Sequence, residues 1–125
     1  MVTYRTPIGV AIALLVGLAT APAQRTTERF IPIGQSPGLS GEYTKIGNLD
    51  SFSAQERTLT ISDASDSYQI QIAEDTHIWL DKSKAGSTNE IGSVSDLQAG
   101  RRVEVKYKDN DPQAAAEWIK VEITE

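Results

Sequence analysis

The chain has 125 residues, 17 acidic against 12 basic for a net charge of −5, and no cysteine. That is the size of one small domain, and it excludes a disulfide framework, a thiolate metal site, a cysteine nucleophile and a lipid-modified cysteine. A sequence pI near 4.9 also lacks the Lys and Arg excess that binds nucleic acid or an anionic membrane surface.

The first 23 residues have the layout of a secretory signal. Arg5 gives a modest positive start, Ile8 to Ala19 is an unbroken run of apolar residues and glycine, and Ala21-Pro22-Ala23 offers a small-residue cut before Gln24. That run makes roughly 18 Å of helix, short of a bilayer core of about 30 Å, so a cleaved leader is expected rather than a stable membrane anchor. Cleavage leaves 11 basic and 17 acidic residues, because Arg5 is the leader's one charged side chain. No N-x-[ST] sequon is present. The expected address is therefore bacterial and exported, either periplasmic or secreted.

Residues 24–43 read as a flexible linker. Pro32, Gly34, Pro37 and Gly38 punctuate the segment, and its apolar residues follow no period. From Thr44 to the end, short alternating segments separated by turn residues predict an all-β domain.

Lys45 to Ser53 is the first predicted strand. Its apolar Ile46, Leu49 and Phe52 are not spaced by two, which asks for a bulge or bend, and Gly47 suits one. Arg57 to Ser62 places Leu59 and Ile61 inward. After an Asp63–Asp66 turn, Ser67 to Ala73 places Tyr68, Ile70 and Ile72 inward, and the two runs are expected to pair as a hairpin. Thr76 to Asp81 is a further short strand with Ile78 and Leu80 on one face and His77, Trp79 and Asp81 on the other. Lys82 to Glu90 reads as a loop. Ser93 to Ala99 reads as one helical turn with Val94 and Leu97 inward, ended by Gly100. Arg101 to Lys108 places Val103, Val105 and Tyr107 inward and Arg102, Glu104, Lys106 and Lys108 on a solvated face. Asp109 to Pro112 is a turn, and the last strand starts near Ala116 with Ile119, Val121 and Ile123 inward. The count and length fit a small OB-like antiparallel barrel of five to six strands with one short helical turn.

Several of these runs carry a resemblance. Gly47-x-Leu49-x-x-Phe52, Thr58-Leu59-Thr60-Ile61 and Tyr68-x-Ile70-x-Ile72 open it, and Asp75-Thr76 continues it. Asp96-Leu97-x-x-Gly100-x-x-Val103-x-Val105 and Ala116-x-x-Ile119-x-Val121 close it. Together they resemble an uncharacterised family of small exported bacterial domains, a domain of unknown function with an OB-like β-barrel. The resemblance covers about Thr44 to Ile123 and departs at the longer Lys82–Glu90 loop. It implies the barrel and an exported single domain, and no catalytic or binding residues come with it.

Among chemical constellations, Gly34-Gln35-Ser36-Pro37-Gly38 spells G-x-S-x-G, with Asp63 and His77 following in triad order. A nucleophile elbow needs a strand before its serine and a helix after it. Pro37 disfavours helical backbone at Ser36, so the match is coincidental. Exported OB-like copper chaperones hold Cu(I) with an imidazole, two thioethers and a tryptophan ring. This chain resembles them in His77 and Trp79 alone, its one methionine being Met1. Asp109, Asn110 and Asp111 lack a calcium-loop pattern. Glu74 and Asp75 point apart on a strand and make no acid–base dyad. Arg101, Arg102, Lys106 and Lys108 make the basic cluster and read as a solvated strand face.

The expectation is thus a non-catalytic exported binding module with no cofactor, no bound metal and no nucleic-acid partner. Its ligand is an unknown protein, peptide or small molecule, met by the face of His77, Trp79 and Asp81. Weak metal handling through His77, or a structural spacer role, is the alternative.

Overall fold

The computed structural model describes residues 27–124, so the predicted leader and residues 24–26 lie outside the described residues. Six strands follow in order: β1 (Thr44–Ser53), β2 (Thr58–Ser62), β3 (Ser67–Asp81), β4 (Glu90–Ile91), β5 (Arg102–Tyr107) and β6 (Ala116–Glu122). Single 3₁₀ turns occupy Ser83–Ala85, Val94–Asp96 and Lys108–Asn110.

The sheet order is β2-β1-β5-β6-β3-β4, and β2 also pairs with β3, which closes a five-stranded barrel with β4 as an extra strand on β3. The barrel is mixed rather than wholly antiparallel, because β3 and β6 run parallel. The reason is geometric. Strand direction cannot alternate all the way round a ring of five, so one neighbouring pair must run the same way.

Inside the ring the period-two alternation of the sequence becomes the core. Leu49, Leu59, Ile61, Ile70, Ile78, Val103, Val105, Ile119 and Val121 all pack into one cluster, which Leu97 joins from the loop before β5. These side chains sit as the alternation predicted. Val94 does not, since its side chain is exposed while Leu97 alone of the pair points in. The turn that holds them is fixed by the Ser93 N–H donating to the Asp96 carboxylate, and Gly100 leaves it with φ at +93°.

The predicted irregularity of β1 is a register shift between Leu49 and Ser51 against β2. Gly47 serves close approach there. A Cβ at this position would lie 2.5 Å from the Ser62 carbonyl oxygen, so only glycine lets β1 and β2 come this near.

Two expected elements changed. The separate strands at Ser67–Ala73 and Thr76–Asp81 are one strand, β3, whose first part pairs with β2 and whose second part pairs with β6. A strand that changes partner needs no turn. The Lys82–Glu90 loop returns through β4, which pairs Ile91 with Trp79 and Glu90 with Leu80.

Residues 27–43 have the irregular backbone expected of a linker, yet they form a strap laid on the barrel. Ile33 and Ser36 are buried in it. The strap lies across the outer side of β3, β6 and β5, which also corrects the expectation for Glu104. That side chain does point away from the core, but the strap covers it and its exposure is 0%.

Candidate binding groove

Register fixes what the outer side carries. One row across the strands runs Ile46 of β1, Glu104 of β5, Lys120 of β6 and Trp79 of β3, each the direct neighbour of the next. The adjoining row runs Thr44, Lys106, Trp118 and His77. Polar and aromatic residues thus line up because strand side chains alternate and cross-strand neighbours share a face.

Trp118 reaches this face through a bulge. Between β5 and β6, Lys106 pairs with Trp118 and Tyr107 pairs with Ala116, so Glu117 is the extra residue. A one-residue bulge switches the side to which the following side chains point. Ala116 therefore packs in the core while Trp118 stands outside it. Opposite, β3 takes five steps from Ile72 to His77 while β6 takes two from Ala116 to Trp118. The excess bows Glu74, Asp75 and Thr76 outward. The Thr76 hydroxyl pins the bow by donating to the Ala116 carbonyl oxygen at 2.7 Å and accepting from the Ala73 N–H at 2.9 Å.

Three rings stack on the outside as a result. His77 lies 5.7 Å from Trp79 at 17° between planes, and Trp79 lies 5.5 Å from Trp118 at 28°. Both separations are in the range where aromatic pairs attract beyond their buried area. Trp79 and Trp118 are buried, while His77 at the open end is exposed.

His77 also stands where two cavities meet. One, of about 510 Å³, follows the bow in β3 and the Lys108–Asn110 turn, lined by Glu74, Asp75, Thr76, His77, Lys108, Asp109 and Glu117. The other, of about 140 Å³, runs from His77 past Trp79 and Trp118 to the strap residues Glu28 and Leu39, with Lys106 and Glu117 on its rim. Lys106 donates to the Glu117 carboxylate at 3.0 Å and Lys108 to Asp75 at 2.6 Å. Lys108 holds the Asp75 carboxyl below its ordinary range. The expected Asp109–Asn110 turn is present, with φ of +54° and +56° that Asp and Asn tolerate.

Of the residues singled out from sequence, His77 and Trp79 come together and Asp81 does not join them. Asp81 faces the strap, where its carboxylate accepts from the Ile33 N–H at 2.8 Å, the Ser83 N–H at 3.0 Å and the Ser83 hydroxyl at 2.7 Å. Burial pushes its carboxyl up, but those hydrogen bonds and the Lys120 charge outweigh burial and hold it below the ordinary aspartate value. With its lone pairs occupied it is a fastener of the strap. Ser36 is equally engaged: its hydroxyl donates to the Glu28 carboxylate, and Lys120 approaches it at 3.4 Å. Asp63 accepts from Ser65, Asp66 and Tyr68 in its own turn, so the triad order assembles no triad. The basic cluster is partnered, with Arg102 beside Glu122 and Lys106 and Lys108 paired as above. Among the described residues no three His, Asp or Glu side chains are grouped to hold a metal ion.

Sequence reasoning missed Trp118, Glu117 and Lys120. The signal was the adjacent apolar pair Trp118-Ile119 following Ala116. It breaks a period of two and marks the bulge.

No family model, curated protein or solved structure matches this chain.

Proposed function

We propose that this chain is an exported, non-catalytic binding module that takes a peptide or small ligand in the groove at His77. The observation that carries the reading is the ring stack. Its buried members, Trp79 and Trp118, hold an exposed imidazole in place at the junction of two cavities. Stacked rings offer a rigid amphipathic surface whose ordering cost is already met in the fold. Bulges in facing strands are a common way to open a site on a sheet. Carboxylates of Glu74, Asp75, Asp109 and Glu117 outnumber the ammonium groups of Lys106 and Lys108 around the groove. That balance favours a ligand bringing positive charge. The leader layout supports export, and the barrel agrees with the resemblance to small exported bacterial domains.

Trp79 and Trp118 are the chain's two tryptophans. Tryptophan fluorescence, excited apart from the four tyrosines, therefore reports on the groove. The test titrates the protein with basic, acidic and neutral synthetic peptides, and in parallel with Cu(II), Ni(II) and Zn(II). Saturable quenching by the basic peptides is expected, and His77→Ala should weaken it at least about tenfold (about 1.4 kcal/mol) while leaving the folded far-ultraviolet spectrum intact. Quenching by a metal alone, lost in His77→Ala, would replace this reading with metal handling. No saturable response to any probe would leave a structural spacer.

A further inference from the structure

The strap is joined to the barrel in an unusual manner. Lys120, on β6, has an exposure of 0%, yet among the described residues the hydrogen-bond acceptors around its ammonium group come from the strap. These are the Ile31 carbonyl oxygen at 2.8 Å, the Glu28 carboxylate at 3.0 Å and the Ser36 hydroxyl at 3.4 Å. Glu104, on β5 and equally buried, accepts from the Gly34 N–H at 2.9 Å and the Ser40 hydroxyl at 2.7 Å. A third bond to it comes from Thr44 at the start of β1, at 2.8 Å. Asp81, on β3, accepts from the Ile33 N–H at 2.8 Å.

Three charges from three strands thus read main-chain groups of one irregular segment: a carbonyl at residue 31 and successive N–H groups at residues 33 and 34. The strap is a run of turns with its own internal hydrogen bonds, so it is gripped as a folded segment, by buried charges on single main-chain groups and a site for one side chain. Ile33 is the side chain inserted, and it is buried against this outer side while remaining outside the barrel's core cluster. Buried charges are costly as a means of stabilising a fold and are best attested as a means of fixing register. A barrel that needed this side covered only for stability would do as well with apolar residues there.

We propose that the β3–β6–β5 side of the barrel is a peptide-recognition surface, and that residues 28–40 are its resident ligand, held in cis and exchangeable for a segment of the same chemistry supplied in trans. That chemistry is an acidic side chain for Lys120, then an Ile-Gly step whose N–H groups face Asp81 and Glu104, then small hydroxyl residues. The proposal does not depend on the reading of the His77 groove. The strap forms one wall of the smaller cavity through Glu28 and Leu39, so exchange would also remodel that wall.

The test uses the full chain with a protease recognition sequence inserted between Glu42 and Tyr43, which are both exposed. Cleavage leaves the strap held without a covalent link. A fluorescent synthetic peptide of residues 27–41 is then added, and bound label is read by size-exclusion chromatography and native mass spectrometry. The expected result is a nicked complex that keeps its β-sheet spectrum and exchanges its strap for the labelled peptide. The same peptide carrying Ile33→Asp should bind about thirtyfold or more weakly, since it pushes a charge into the apolar site. Loss of the sheet spectrum on strap release would overturn the proposal, because the strap would then be part of the fold. A strap that never exchanges, or equal exchange by both peptides, would overturn it too.

Discussion

Asp81 shows how one side chain can be placed correctly by pattern and given the wrong role. Its face was legible from the alternation His77, Trp79, Asp81, but its partner Ile33 lies 48 residues earlier in a segment with no period. A carboxylate held below its ordinary value contributes stability that is fully present above the unfolded value, near about pH 4, and is lost as pH falls through the lower native value. Asp63 and Asp75 are shifted the same way, the first by N–H groups of Asp66 and Ser65 and the second by Lys108, and they add to the same acid limb. Asp81→Asn is therefore expected to be less stable than the parent at pH 7, with the difference shrinking below about pH 4, where the unfolded parent's carboxylate protonates before the folded one. Urea midpoints of both proteins at pH 7 and pH 3 check this. A difference that stays constant with pH would show that Asp81 acts by shape and not by charge.

At the scale of elements, the inward residues of β2, β5 and β6 were legible because a half-buried strand must alternate. What escaped were the departures from alternation in β3 and β6, whereas that in β1 was legible from its irregular apolar spacing. The bow in β3 and the extra residue in β6 are defined by pairing between strands, which no single segment reveals. The strap escaped for a related reason: its bonds to Lys120 span up to 92 residues, and polar contacts at that distance leave no periodic trace. The bulge at Glu117 can be probed directly. Glu117→Ala keeps the bulge and loses a partly exposed pair with Lys106, a cost under about 1 kcal/mol. Deleting Glu117 makes Ala116 and Trp118 neighbours in sequence, and neighbours on a regular strand point to opposite sides, so Trp118 is expected to stay in its stack. Both variants should therefore keep the parent's tryptophan emission maximum. A red-shifted emission in the deletion variant alone would show that the bulge itself holds Trp118 in the stack.

The whole molecule is built in two layers with different chemistry. The closed barrel has an apolar core made by its own strands and Leu97, with no strap residue in it. The strap is fastened from outside by buried charges on main-chain groups, with Ile33 as its apolar anchor. The ring stack and its groove lie at the seam, walled on one side by the strap and on the other by the bulged strands. The all-β barrel was legible in the sequence because it is the apolar layer. The second layer was not, since segments joined by polar groups carry no hydrophobic signature.

Hydrogen exchange tests this two-layer account most directly. The Ile33 and Gly34 amides, bonded to Asp81 and Glu104, would be followed beside the Val105 and Ile119 amides of the core strands. If the strap opens separately, its two amides exchange at least about a hundredfold faster and respond little to low urea, while the core amides track global unfolding. Equal rates with the same urea dependence would contradict the account, because strap and barrel would then unfold as a single unit.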